Sequence, residues 1–280
     1  MTHMANMCRE NGEALDERLH DRLFFGASGL LAALALAAMI VLLLLPPHDL
    51  LDKADRAAFA VCHRIPERTL TVAGRPLPLC ARCSGSYLAA LIALGILGAR
   101  GRLRAGLLPR RPYLLVFGLF VAVWAMDGLN SYLTLFPGAP YLYEPQNRLR
   151  LVTGALQGLA LAAVLLPMVN RSLGSGTENL SSVGSPADLL WLLAGGALLV
   201  WLVSMDRPAL LYPLAIASGL AIVGFAALLN LLMFESLFGH TRHVLTRFAT
   251  VTMCIALAMG ELAAVGLART ALESGFGWPS

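Results

Sequence analysis

The stretch ALLYPLAIASGLAIVGFAALLNLLMF, residues 209–234, runs for 26 positions without a charged side chain. A helix rises ~1.5 Å per residue, so about 20 apolar residues cross the hydrocarbon core of a bilayer. Lipid offers no partner to backbone polar groups, so a segment of this kind crosses the membrane as a helix. The stretch therefore predicts an all-α integral membrane protein.

The composition of the whole chain agrees with this prediction. Of its 280 residues 58% are apolar and 14% are charged, and the mean hydropathy is +0.70. Soluble domains carry about 25% charged residues. The net charge of +4 comes from 20 arginines and one lysine against 17 acids. On so apolar a chain this excess is typical of charge that flanks membrane helices, and no nucleic-acid-binding motif accompanies it.

Seven segments qualify as membrane-spanning helices, which predicts a polytopic protein: residues 24–45, 84–99, 112–135, 149–169, 188–204, 209–234 and 249–268. The first is too long for the apolar region of a signal peptide and no small-residue cleavage site follows it, so we expect it to be retained. A polar segment, residues 1–23, precedes it. A Gly/Ser-rich linker, residues 171–187, divides a four-helix membrane module, residues 24–170, from a three-helix extension, residues 188–280.

Seven spans place the two termini on opposite sides of the membrane. Side A holds the N-terminus, loop 99–111 and the linker, whereas side B holds loop 46–83 and the C-terminus. Lysine and arginine are almost evenly divided, 11 on side A and 10 on side B, but loop 99–111 carries five arginines and no acid. Because cytoplasmic loops are enriched in basic residues, we expect side A and the N-terminus to be cytoplasmic, in a bacterial cytoplasmic membrane.

Three of the five cysteines lie in VCHRIPERTLTVAGRPLPLCARCSGSY, residues 61–87, with the spacing Cys62-x17-Cys80-x2-Cys83. A C-x2-C pair lets two sulfur atoms bind one metal ion, and a third cysteine with His63 would complete a Cys3His zinc site. Adjacent Cys62 and His63 would seldom bind the same ion, so the fourth ligand could instead be His48, an acid or water. An open fourth position distinguishes a catalytic zinc from a structural one.

The same cysteines allow two other interpretations. Cys80 and Cys83 lie at the start of a predicted helix, whose N-terminus stabilises a thiolate, and Arg82 adds positive charge. With Cys62 as exchange partner they predict a quinone-coupled thiol–disulfide oxidoreductase. The last interpretation is a static disulfide or a structural metal site.

The remaining cysteines and a histidine pair lie apart from this cluster. We interpret Cys8 and Cys254 as ordinary thiols, Cys254 within the last helix. His240 and His243 are spaced for metal binding but fall on side A, in a loop that we interpret as flanking the membrane.

Polar side chains are expected to converge on side B within the predicted helices. They are Asp127, Asn130, Ser131 and Thr134 on the third helix, Arg150, Thr153 and Gln157 on the fourth, and Glu261 on the seventh. Charged groups inside a membrane are costly and usually face a partner or a cavity. Two interpretations remain open, a set of ties between helices or a polar pocket that opens to side B. At ~1.5 Å per residue Asp127 and Gln157 both lie ~13 Å deep, and we expect Asp127 to bond to Arg150, Thr153 or Gln157.

Arginines accompany the cysteines on side B, at positions 64, 68, 75 and 82. Guanidinium groups bind phosphates and carboxylates through paired hydrogen bonds. Membrane-surface arginines also meet lipid headgroups nonspecifically, so either role is open here.

The motifs CHRIPERTLTVAGRPLPLCARCSGSY, MDGLNSY and NRLRLVTGALQG resemble those of the membrane proteins grouped as domain of unknown function 2085. The resemblance covers about residues 61–158 and implies a four-helix module, without an established activity. Ser84 and Ser131 replace the threonine and glutamine that family members often carry. The family pattern falls on Cys62, His63, Arg64, Pro66, Arg68, Gly74, Pro78, Cys80, Arg82, Cys83, Gly85, Tyr87, Asp127, Gly128, Asn147, Arg150, Thr153 and Gly154.

The sequence thus predicts a membrane protein with a cysteine-based site, preferably for zinc, above a polar pocket for an anionic or lipid-like ligand. Whether the site catalyses a reaction is left open. The predicted metal ligands are Cys62, Cys80, Cys83 and His63. The predicted catalytic residues are Asp127, Arg150 and His63. The predicted ligand-binding residues are Arg64, Arg68, Arg82, Asn147, Thr153 and Gln157. The alternatives are the quinone-coupled oxidoreductase and a non-catalytic accessory subunit of a membrane complex.

Overall fold

The computed structural model describes residues 29–30, 32–136, 138–173, 178–238 and 244–276. These residues form eight helices: α1 Ala32–Leu44, α2 Leu50–Val61, α3 Ala81–Ala99, α4 Arg111–Leu133, α5 Asn147–Leu173, α6 Pro186–Ser204, α7 Pro208–Phe238 and α8 Val244–Phe276. Four short strands accompany them: β1 Thr69–Val72, β2 Arg75–Cys80, β3 Ala105–Leu107 and β4 Glu178–Ser181.

Helices α3 to α8 are long and apolar enough to cross a membrane. They coincide with the second to seventh predicted spans, so the prediction of an all-α polytopic membrane protein is confirmed. The first predicted span begins outside the described residues, and α1, from Ala32 to Leu44, lies within it.

Loop 46–83 contains regular structure that the spans did not predict. Helix α2 buries Leu51, Ala54 and Ala58 at a helical spacing, and this face packs on α7, α8 and β2. After α2, strands β1 and β2 pair antiparallel and reverse at Ala73 and Gly74, both of which have a positive φ. Glycine adopts that conformation at little cost, which suits this tight turn. The hairpin delivers Cys80 directly to the start of α3.

Helices α3 and α5 cross with their backbones in direct contact. A Cβ atom added at Gly154 would meet the carbonyl oxygen of Arg82, and one added at Gly158 would meet that of Ser86. At the same crossing a Cβ on Gly85 would meet the carbonyl oxygen of Leu151. Small residues allow such close approach between membrane helices. The crossing fixes the first turn of α3, which carries Arg82 and Cys83, against α5.

The end of α3 opposite the cysteines is joined to the linker. Strand β3 in loop 99–111 pairs in parallel with β4 in the linker. Arg100 and Arg102 both bond to Asp188, at 3.2 Å and 3.1 Å, in the first turn of α6. Loop 99–111 and the linker therefore lie at one end of the bundle and loop 46–83 at the other, as predicted. Which end is cytoplasmic stays a prediction.

A candidate metal centre beside an arginine cluster

The three cysteines of loop 46–83 come together at the meeting point of three elements. Cys62 follows α2, Cys80 ends β2, and Cys83 lies in the first turn of α3. Their sulfur atoms all lie within 4.8 Å of one another, and each is a free thiol. Tetrahedral zinc with Zn–S bonds of ~2.3 Å separates its sulfur ligands by about 3.8 Å, so the spacing fits a shared ion. The predicted convergence of the three cysteines is confirmed.

The surroundings of the three sulfur atoms favour the thiolate of Cys62. Hydrogen bonds from the thiols of Cys80 and Cys83 lower the pKa of the Cys62 thiol, and the backbone N–H of Cys80 donates to its sulfur at 3.4 Å. The hydrogen bond that the Cys80 thiol makes to Cys62 raises the pKa of Cys80 in turn. Apolar side chains from α7 and α8, Ile222 and Leu262, pack against the cluster. A thiolate is the form that binds metal ions.

His63 lies outside this group of three. Its Nδ1 accepts a hydrogen bond from the backbone N–H of Ile65 at 3.1 Å. Among the described residues no histidine or carboxylate joins the three cysteines at the same spacing. The role of His63 as fourth ligand therefore stays a prediction.

Three arginines converge on Ser131 of α4, and one of them, Arg82, lies between Cys80 and Cys83 in the chain. Arg82 and Arg150 donate to its hydroxyl oxygen at 3.0 Å and 3.1 Å, and Arg68 donates to its carbonyl oxygen at 2.9 Å. Burial and then the neighbouring charge of Arg82 lower the pKa of Arg68. Three positive charges thus lie close together where α3 and α5 begin and α4 ends.

Asp127 supplies the negative charge at this point. Its carboxylate accepts hydrogen bonds from Arg82 Nε at 3.0 Å, from the Tyr143 hydroxyl at 2.8 Å and from the Thr153 hydroxyl at 3.2 Å. Arg82 Nη2 also bonds to it and to its carbonyl oxygen. Asp127 is 1% exposed. The bond from Thr153 confirms the prediction that Asp127 faces α5 and bonds to one of three named residues.

Part of the chain is similar to known proteins. Residues 62–164 match the family described as "Predicted membrane protein (DUF2085)". An uncharacterised protein of Methanocaldococcus jannaschii is 29% identical over 108 residues, which cover 39% of this chain and 63% of that protein. The match thus spans less than two thirds of the relative's length. No solved structure matches.

The part of the chain that matches the DUF2085 family contains both halves of the site. It begins at Cys62 and includes the other two cysteines, the three arginines and Asp127. It ends within α5, so α2, α6, α7 and α8 lie outside it. The resemblance read from the motifs is therefore confirmed over nearly the same residues.

The connection between α4 and α5 closes over the carboxylate. The amide of Asn130 donates to the carbonyl oxygen of Tyr143 at 2.9 Å and accepts from the N–H of Leu142 at 2.6 Å. Asn147 donates to the carbonyl oxygen of Glu67 at 2.9 Å and accepts from Arg150 Nη1 at 2.8 Å. Sequence reasoning missed Tyr143, because it lies in an irregular segment where no periodicity indicates its direction.

Several predicted residues lie elsewhere. Gln157 lines an apolar groove of about 400 Å³ with residues of α4 and α5, one turn deeper than Thr153. Arg64 pairs with Asp55 of α2 at 3.0 Å, and Arg75 pairs with Asp52 at 2.8 Å. Glu261 accepts a hydrogen bond from Asn230 of α7 at 3.0 Å. Three other residues considered in the sequence, His240, His243 and Cys8, lie outside the described residues.

Proposed function

We propose that this membrane protein binds a zinc ion through Cys62, Cys80 and Cys83. We further propose that the adjacent arginines Arg68, Arg82 and Arg150 bind the anionic group of an amphiphilic or lipid-like ligand. The observation that carries the proposal is the juxtaposition of three sulfur atoms within 4.8 Å with three guanidinium groups around one serine.

The donor set favours a metal ion over a single disulfide. A disulfide joins two sulfur atoms and leaves the third without a role, whereas zinc is commonly bound by three or four thiolates. Three thiolates around Zn²⁺ carry one net negative charge, which the neighbouring arginines would stabilise. A zinc ion held by three protein ligands keeps a fourth position for water, a substrate or His63.

The arginine cluster retains both charge and donors for an anion. Asp127 is the buried carboxylate that balances it, so three guanidinium groups leave a net charge of +2. Arg82 Nη1, Arg150 Nη2 and Arg68 Nη1 donate no hydrogen bond to other described residues. Partly buried cations with unused donors are suited to phosphate or carboxylate groups. The cluster lies towards the ends of α3, α4 and α5, the part of a membrane helix that is nearest to the lipid headgroups.

Any reaction at this site would use residues of the arginine cluster together with His63, which follows Cys62 in the chain. We propose that Asp127 and Arg150 orient the reacting anion, with Asn147 and Thr153 holding their side chains, and that His63 transfers a proton. A bound zinc would supply a Lewis acid or an activated water at the fourth position. Metal-assisted chemistry on a lipid-linked or amphiphilic substrate is therefore the class we propose.

The alternative of a thiol–disulfide oxidoreductase rests on the same thiols. Oxidation of Cys80 and Cys83 to a disulfide would release two electrons and two protons, which a quinone would accept as it becomes quinol. Cys62, within 4.8 Å of both, would serve as the exchange thiol. This alternative requires that the purified protein lack a metal on these cysteines.

The test is metal analysis of protein purified in detergent, combined with a count of reactive thiols. We expect about one zinc ion per chain, which is lost in Cys62→Ser, Cys80→Ser and Cys83→Ser. The matched control is Cys254→Ser, because this cysteine is also buried but lies in α8, apart from the cluster. Zinc-free protein with an oxidised cysteine pair would overturn the metal proposal in favour of the redox alternative.

The anion part of the proposal has its own test. Dihexanoyl phosphatidic acid and inorganic phosphate would each be titrated into the protein while its thermal unfolding is followed. We expect Arg150→Gln to weaken binding at least tenfold, and Arg207→Gln, an exposed arginine in the α6–α7 turn at the same end, to leave it unchanged. Stabilisation by the lipid alone indicates a headgroup site, and stabilisation by both indicates a phosphate site. Equal behaviour of the two variants would overturn the proposal.

A further inference from the structure

Cys62 is held in place by elements outside the part of the chain that matches a known family. Cys80 and Cys83 belong to β2 and α3, whereas Cys62 follows α2, which packs on α7, α8 and β2. The position of Cys62 relative to the other two cysteines therefore depends on how α2 is docked to the three-helix extension.

Arg269 of the three-helix extension forms hydrogen bonds with the backbone at Cys62 and on both sides of it. Arg269 of α8 donates through Nη1 to the carbonyl oxygen of Phe59 at 2.8 Å and to that of Cys62 at 2.6 Å. Its Nη2 donates to the carbonyl oxygen of His63 at 3.4 Å. The guanidinium lies 4.1 Å from the centre of the Phe59 ring, and Glu273 accepts from its Nε at 2.8 Å.

These hydrogen bonds are made at the C-terminal end of α2. The last carbonyl groups of an α-helix have no partner within the helix, and a cation there also interacts favourably with the helix dipole. The chain then turns sharply, because Arg64 adopts a φ of 51°. An L-residue adopts that conformation at some cost, so neighbouring contacts must hold it. Arg269 thus fixes the backbone that carries the sulfur atom of Cys62.

We propose that Arg269 is a positioning residue for the metal site, which it serves by holding Cys62 within coordination distance of Cys80 and Cys83. The inference rests on the proposed zinc site and gives the three-helix extension a role in it. Among the described residues, the hydrogen bonds of Arg269 go to Glu273 and to the carbonyl oxygens of Phe59, Cys62 and His63, and none goes to a cysteine sulfur atom or to Ser131. Its effect is exerted through the backbone of Cys62.

The first measurement is zinc affinity, by competition with a chromophoric chelator, for the wild type and for Arg269→Gln, Arg269→Lys and Arg207→Gln. Residues that orient metal ligands typically change metal affinity by about 10- to 100-fold when replaced. We expect a loss in that range for Arg269→Gln, a smaller loss for Arg269→Lys, and no change for Arg207→Gln. A lower melting temperature of Arg269→Gln with unchanged zinc affinity would overturn the proposal, because it would show a structural tie only.

The second measurement does not involve zinc. In a Cys80→Ser background with metal removed, copper–phenanthroline would oxidise Cys62 and Cys83 to a disulfide that peptide mass spectrometry detects. We expect Arg269→Gln to slow this bond formation about tenfold. A slowed rate together with a wild type that binds no zinc would support the positioning role and refute the zinc site. An unchanged rate with zinc present would refute the positioning role alone.

Discussion

Replacing Asp127 with asparagine should destabilise the protein more than any other single change in the arginine cluster. Asp127 is 1% exposed and accepts from Arg82, Tyr143 and Thr153. Asparagine keeps one acceptor oxygen but loses the charge, which leaves Arg82 without its counter-ion. Breaking a buried ion pair from one side costs about 3–5 kcal/mol. Because the Arg82 side chain is still 16% exposed, we expect the low end, about 3 kcal/mol.

The assay is equilibrium unfolding in mixed micelles, arranged as a double-mutant cycle of Asp127→Asn with Arg82→Gln. The two side chains share hydrogen bonds, so we expect a coupling free energy of at least about 1.5 kcal/mol. The control is Asp52→Asn, which breaks an ion pair with Arg75 in which the aspartate side chain is 52% exposed and which should cost at most about 1 kcal/mol. Additive effects within about 0.5 kcal/mol would refute the argument that Asp127 and Arg82 form one buried unit. Zinc content should remain unchanged in Asp127→Asn and in Asp52→Asn, because neither aspartate is a proposed ligand.

Three further predictions concern the helix crossing, the hydroxyl above the carboxylate and the topology. Gly154→Ala should destabilise the protein by about 1–3 kcal/mol in the same unfolding assay, because the added Cβ would meet a backbone oxygen of α3. The control is Gly118→Ala, whose Cβ would meet open space and which should be neutral. Equal effects of the two substitutions would contradict the close crossing. Tyr143→Phe should cost about 1.5 kcal/mol at neutral pH. Burial and the hydrogen bond to Asp127 raise the pKa of Tyr143 from 10.0 to about 12. The contribution of the Tyr143 hydroxyl to the free energy of unfolding is therefore present below pH 10 and is lost as the pH rises towards 12. If the wild type and Tyr143→Phe differed in stability by the same amount over this range, the hydrogen bond would be contradicted. In a cysteine-free background, a membrane-impermeant maleimide should label Gly101→Cys and Gly74→Cys from opposite faces of intact cells, and equal labelling would contradict the topology.

Much of the fold could be predicted from the sequence because lipid imposes a simple rule on the chain. Helices α3 to α8 follow from apolar length, which single charged residues such as Asp127 and Glu261 do not obscure. Helix α2 was missed because it lies outside the apolar segments, although its buried Leu51, Ala54 and Ala58 follow a helical spacing. The parallel pairing of β3 with β4 joins residues more than 70 positions apart, and local pattern does not encode such a contact.

The residues of the candidate site were largely predicted, but the relative depths of those on α4 and α5 were not. The three cysteines converge because their spacing at a helix start favours it, and Asp127 meets Thr153 because α4 ends at Leu133 and α5 begins at Asn147. Both residues then lie six positions from the helix ends, ~9 Å deep, whereas Gln157 lies ~15 Å deep. The sequence placed Asp127 and Gln157 at one depth because the predicted third span ended at residue 135 and the predicted fourth span began at residue 149. In the structure α4 ends at Leu133 and α5 begins at Asn147.

Arg269 could not have been predicted, because it lies 207 positions from the carbonyl group of Cys62 to which it donates. Only the packing of α2 on α8 brings the two together. The same holds for Tyr143, which reaches Asp127 from an irregular loop. Both contacts depend on tertiary structure rather than on local sequence.

The coordination of a metal by Cys62, Cys80 and Cys83 is the central claim, and X-ray absorption at the zinc edge of the purified protein tests it most directly. Three sulfur neighbours at ~2.3 Å and one nitrogen or oxygen neighbour at ~2.0 Å are the predicted first shell. Cys83→Ser should abolish the zinc signal, and Cys254→Ser should leave the spectrum unchanged. A zinc ion surrounded by nitrogen and oxygen alone, or a spectrum unaffected by Cys83→Ser, would contradict the account.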